Sequence, residues 1–123
     1  MSRIKGLLVK PYELPEEIEI ENTLEAKQHL VGGYIECLYP EDDTSVVFIC
    51  NEEGKIYGLP PNRDIGHDII VGNFFLVGDD AEIGEDRSLT EEQIAKYTKY
   101  FGKESIEKTT KKYNQILDSS LDI

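Results

Sequence analysis

The chain has 123 residues, 39% of them hydrophobic, with 13 basic against 25 acidic residues and a formal net charge of −12. That length carries one domain with a real core, and a field of that sign repels nucleic-acid phosphates and favours basic partners. There is no run of eighteen apolar residues and no secretory leader pattern, so a cytoplasmic protein without membrane contact is expected.

The charge is unevenly placed. Residues 1–87 hold 7 basic and 19 acidic residues, whereas residues 88–123 hold 6 of each. The acidity therefore belongs to the part expected to carry the sheet. It serves either plain solubility or the recognition of a basic partner, and composition leaves both open.

In chain order, residues 4–9 read as a first strand and residues 11–15 as a turn. Residues 17–21 alternate glutamate and isoleucine, the pattern of a strand with one wet face. Glu16, Glu17, Glu19 and Glu21 are expected to guard a sheet edge against pairing rather than to act as catalytic carboxylates. Asn22, with Glu25 three residues on, is expected to cap a helix that buries Leu24, Leu30 and Val31 and ends at a left-handed Gly32. His29 in its last turn suits the helix dipole and reads as a cap or surface residue.

Residues 33–39 form the next expected strand, turned back by residues 40–43 into the apolar run Val46-Val47-Phe48-Ile49-Cys50, which suits a strand buried on both faces. If Tyr39 closes that hairpin against Thr44, Cys37 faces Val46 and Cys50 faces Gly33. The two sulfurs then share a face about 13 Å apart, too far for a disulfide, and both cysteines read as small buried hydrophobes. Asn51-Glu52-Glu53-Gly54 fits a type I turn with Gly54 at positive φ, followed by a return strand over residues 55–59 that Pro60-Pro61 must end. Residues 73–77 make another strand between Gly72 and Gly78.

Asn62-Arg63 follows the two prolines on a firmly held backbone. Arg63 either pairs internally with one of the many acids or presents its planar fork to a carboxylate or phosphate. His67-Asp68 has no nucleophile beside it, which weakens a triad reading. The acidic run Asp79-Asp80-Ala81-Glu82-Ile83-Gly84-Glu85-Asp86 fails the calcium-loop template, because Ala81 and Ile83 stand where oxygen ligands belong; it reads as a solvated acidic loop. No zinc-ligand spacing and no phosphate-cradling glycine loop is present. No cofactor or metal is expected.

Thr90 and Gln93 form a capping box, and Leu89 is placed to staple onto Ile94. Ile94, Tyr97 and Phe101 then recur at helical spacing, and Gly102 breaks the helix. A last helix over about residues 104–118 carries a thin stripe of Ile106, Tyr113, Ile116 and Leu117, with Lys108, Lys111 and Lys112 outside. Such a helix packs loosely or joins a second copy of the chain.

Several stretches occur together in order: Asn22-Thr23-Leu24-Glu25, Val31-Gly32-Gly33-Tyr34-Ile35-Glu36, Cys50-Asn51-Glu52-Glu53-Gly54-Lys55, Gly58-Leu59-Pro60-Pro61-Asn62-Arg63, and Asp68-Ile69-Ile70 running into Gly72, Phe74, Val77 and Gly78. Over roughly residues 3–100 they resemble a family of small domains of unknown function from Gram-positive bacteria, their phages and their mobile elements. The resemblance implies a compact α+β domain of phage or mobile-element origin and carries over no catalytic residue.

The expected fold is α+β. A small, mostly antiparallel sheet of five to six strands has one inserted helix after the second strand, and helices close the chain. Residues 1–101 form the core domain and residues 102–123 a helical extension. Two functions from different classes remain. One is a non-catalytic acidic protein that binds a basic protein surface and inhibits a host defence or nucleic-acid enzyme by presenting a DNA-like negative face, with Asp79, Asp80, Glu82, Glu85 and Asp86 among its contacts. The other is a small-molecule-binding or hydrolytic domain with a pocket near Asn62, Arg63 and His67.

Overall fold

The computed structural model describes residues 2–80 and 82–121. Ala81 of the acidic run and the last two residues of the expected extension lie outside the described residues. The elements in order are β1 (Arg3–Val9), β2 (Glu16–Glu21), α1 (Leu24–Val31), β3 (Ile35–Leu38), β4 (Val46–Asn51), β5 (Pro61–Asp64), β6 (Ile69–Val71), β7 (Phe74–Asp80), β8 (Glu85–Arg87), α2 (Glu91–Tyr100) and α3 (Lys103–Leu121). The fold is α+β, as expected. The main sheet runs β2-β1-β7-β4-β3, with β8 also paired to β7, and β5 and β6 form a separate two-stranded ribbon. All pairings are antiparallel.

Both faces of the sheet are covered, and residue alternation along the strands divides the core in two. Val47, Ile49, Phe75 and Val77 point toward α1, where they meet Val31 and the half-buried Ile18, Ile20 and Leu30. Val46, Phe48, Phe74 and Leu76 point the other way, toward Tyr97 and Phe101 of the helical layer and Ile65 and Ile70 of the ribbon region. On that side Phe48, Phe74 and Phe101 meet edge to face with ring centroids 5.4–5.8 Å apart, the geometry aromatic quadrupoles favour.

The first strands follow the sequence reading. β2 is an edge strand, with its isoleucines half-buried and its glutamates exposed. The α1 cap lies one residue later than expected: Thr23, not Asn22, accepts the Ala26 amide, while Asn22 donates to the Asp86 carbonyl. Leu24 is exposed rather than buried, because the short helix turns only its last residues onto the sheet. Gly32 closes α1 in the left-handed conformation, and the capping box of Thr90 and Gln93 is present as read.

Two expectations fail around β4. The β3–β4 register is shifted by three residues, so Glu36 faces Cys50 and Cys37 faces Ile49. An odd shift swaps faces: the two thiols now lie on opposite sides of the sheet, Cys50 buried and Cys37 exposed. Residues 55–58 are turns and Leu59 is irregular, so there is no return strand, since β4 already has β3 on one side and β7 on the other. The Asn51 carbonyl still accepts the Gly54 amide at 3.3 Å, as in the expected turn, but positive φ falls on Gly58 instead of Gly54. Pro61 opens β5 rather than ending a strand.

The acidic run is a hairpin rather than a loop: Asp79 and Asp80 end β7, and Glu85 and Asp86 return in β8. β7 itself continues through Gly78. α3 packs on the ribbon, where the Thr109 hydroxyl accepts the Asp64 amide at 2.9 Å. Lys112, expected outside, pairs with the Asp64 carboxylate at 3.1 Å.

Candidate functional site

A bulge in the β5–β6 pairing falls between Pro61 and Arg63. Bulges re-aim side chains, and here two consecutive polar residues, Asn62 and Arg63, both turn inward, 2% and 0% exposed. The Asn62 carboxamide donates to the Val9 and Gly72 carbonyls at 2.8 and 2.7 Å. Arg63 Nε and Nη2 donate to the Phe101 carbonyl at 3.2 and 3.0 Å, Nη2 also to the Glu13 carbonyl, and Nη1 to both oxygens of Asn62. Arg63 is thus internal, but it grips carbonyls and makes no ion pair with a described acid. A rigid fork of five donors suits converging backbone oxygens. Burial lowers its pKa to about 10, which leaves it charged at neutral pH. The turn that offers the Glu13 carbonyl holds Tyr12 at φ +67°, an unusual state for a bulky residue.

His67 lies elsewhere. With Lys55, Leu59, Asp68, Val71 and Lys112 it lines a cleft of about 400 Å³ between the ribbon and α3, which neither Asn62 nor Arg63 reaches. Both lysines of that cleft are already paired, Lys55 Nζ 2.5 Å from Asp68 and Lys112 3.1 Å from Asp64, while His67 Nδ1 lies 3.7 Å from Glu41. The structure therefore separates His67 from the Asn62–Arg63 pair.

In the β7–β8 hairpin, Asp80 is 4.0 Å from Arg87 and Asp79 is half-buried, while Glu82 and Glu85 stand in solvent. Asp86 is taken up by Lys27 at 2.5 Å, which ties β8 to α1. Among the described residues no group of three His, Cys, Asp or Glu side chains is placed to hold a metal ion.

Two features escaped the sequence reading. Asp43 accepts the Ser45 amide and hydroxyl at 3.0 and 2.5 Å, the Tyr97 hydroxyl at 2.7 Å and Lys96 at 3.3 Å. The Ser45 and Tyr97 hydroxyls hold its carboxyl well below the usual range, and burial with Asp43 pushes the Tyr97 phenol up. The Asp-x-Ser spacing was a readable local signal for this turn; the partner on α2 was not.

The second is a cleft of about 290 Å³ at the C-terminal end of α1, lined by Tyr34 and Tyr57 with Gln28, Gly33, Asn51 and Glu53. Asn51 assembles it. Its buried carboxamide donates to the Val31 carbonyl at 3.1 Å and accepts the Glu53 amide at 2.8 Å, joining α1 to the loop after β4. The Glu52 amide donates to the Tyr34 carbonyl at 2.9 Å. Gly33 packs so closely that a Cβ there would lie 3.0 Å from the Asn51 carboxamide. The walls come from two of the quoted sequence stretches, Val31 to Glu36 and Cys50 to Lys55, with Tyr57 just beyond.

Residues 4–102 match a family model described as "Domain of unknown function (DUF3846)". No curated protein and no solved structure matches the chain.

Proposed function

Because the chain belongs to the DUF3846 family of domains of unknown function, we propose from its own surface that it is a non-catalytic acidic binding protein, cytoplasmic and of phage or mobile-element type. It holds a basic protein surface, such as that of a host defence or nucleic-acid enzyme, and stands where DNA would otherwise lie.

The observation that carries this reading is the layering of charge. All six basic residues after Arg87 lie on α2 and α3, which cover one face of the sheet. The excess of carboxylates lies on the rest: the exposed β2 edge with Glu16, Glu19 and Glu21, and the β7–β8 turn with Glu82 and Glu85. Six ion pairs of lysine or arginine among the described residues neutralise only part of the acids. A net negative surface raises the rate of encounter with a basic one. The second reading, a small-molecule or hydrolytic pocket, draws support only from the His67 cleft, because Asn62 and Arg63 spend their donors within the core.

The test is capture of the partner from a Gram-positive host lysate, followed by association kinetics at low and moderate ionic strength. The on-rate is expected to fall at least about tenfold as salt screens charges beyond about 8–10 Å. An on-rate insensitive to salt would sink the proposal.

A further inference from the structure

We propose that the cleft between Tyr34 and Tyr57 receives an arginine side chain of the basic partner. The proposal rests on the acidic-binding reading and names where on this surface specific contact is made.

Three independent features of the cleft select a cation. The first is its walls. Tyr34 and Tyr57 are 67% and 66% exposed and line the same small space, and aromatic faces attract cations, arginine more often than lysine. The second is charge. Glu53 alone is charged among the described residues that line the cleft, and its side chain makes no ion pair there. The third is the fold itself, since the cleft opens at the C-terminal end of α1, the negative pole of the helix dipole.

Size and shape then narrow the cation to one side chain. About 290 Å³ is at the lower limit for a small-molecule pocket. A planar guanidinium stacks on tyrosine and offers paired N–H donors to a carboxylate, which an ammonium does not. Gln28, half-buried, also lines the cleft, and its side chain carries an amide oxygen that can accept. The site is also preformed: Asn51 ties both loops together, and Gly33 leaves room for its carboxamide. Little ordering is left for the moment of binding.

The experiment titrates the whole protein with N-acetyl-arginine amide while amide chemical shifts are followed by NMR. The uncharged citrulline analogue, the lysine analogue and adenosine are titrated in parallel. Saturable shifts are expected at Gly33, Tyr34, Glu53 and Tyr57 with the arginine probe, weaker ones with lysine and none with citrulline or adenosine. Tyr57→Ala and Glu53→Gln, which remove an exposed ring and an unpaired charge, should each abolish saturation while leaving the remaining shifts in place. Glu107→Gln removes an exposed charge on α3, outside both the cleft and the acidic surface, and should leave binding unchanged. Equal binding of citrulline or lysine overturns the arginine assignment, and saturation by adenosine alone makes the cleft a stacking site for a base instead. Arginine-induced shifts spread along β2 and the β7–β8 turn refute the cleft but leave the acidic reading standing. Arginine held in the cleft, with a partner on-rate that ignores salt, does the reverse.

Discussion

Arg63 draws together three backbone segments remote in sequence: the turn at Glu13, the bulge at Asn62 and the end of α2 at Phe101. Removing the guanidinium leaves buried carbonyls without donors and a void where the side chain was. Arg63→Ala is therefore expected to cost about 3 kcal/mol or more, read as a large drop in the midpoint of chemical denaturation. Arg63→Lys should recover only part of it, because an ammonium cannot reach three carbonyls at once; a lysine variant as stable as the parent would show that charge, not the fork, matters. The sequence located this residue and favoured an internal role for it, but not the particular carbonyls it grips, since a proline pair predicts a rigid backbone but not the direction of the next side chain. Asp43 makes a second, pH-dependent prediction. Its folded carboxyl is held below its ordinary value of 3.8 by the Ser45 and Tyr97 hydroxyls. Its stabilisation is thus complete above about pH 4 and fades as pH falls further. Asp43→Asn should cost about 1–2 kcal/mol at neutral pH, and the gap to the parent should narrow at pH 3. A gap that stays constant between the two pH values would show that the ionised form contributes nothing.

Elements whose signal is local were legible in the chain: the alternation in β2, the unbroken apolar run of β4, and the capping box that starts α2. Those set by distant partners were not. β4 needs a neighbour on each side, and the second is β7, more than twenty residues on, instead of the adjacent residues 55–59. The β3–β4 register was misread because the connection is longer than a tight turn, with Asp43 and Ser45 forming a closed unit inside it. Gly54 illustrates a right residue with a wrong reason. It needs no positive φ, yet a Cβ there would lie 2.9 Å from Val71 Cγ2 and 3.4 Å from Leu59 Cδ1. Val71 is β-branched and cannot swing aside, so Gly54→Val should destabilise by about 1–3 kcal/mol. Thermal melts should also show Val71→Ala partly rescuing that variant; no rescue would mean the contact is not the cause.

At the scale of the molecule, net charge and its confinement to residues 1–87 were legible in the sequence, but not that α2 and α3 cover one face of the sheet together. The tyrosine cleft was likewise hidden: its walls stand more than twenty residues apart in the chain and are joined by Asn51 and by the Glu52 amide on the Tyr34 carbonyl. The strand order has a further consequence, in the time domain. β1 and β4 do not touch each other in the sheet; β7 lies between them, and it comes late in the chain. On a ribosome, both earlier strands emerge with apolar residues on either face and no inner neighbour, a state open to edge pairing. At typical elongation rates the stretch from the end of β4 to the end of β7 takes roughly 1.5–6 s to make. Arg63 extends the wait, because its carbonyl partner at Phe101 is made later still. The nascent chain stays unable to close its core until nearly all of the matched region has left the exit tunnel, so newly made protein, rather than mature protein, is the form most exposed to aggregation.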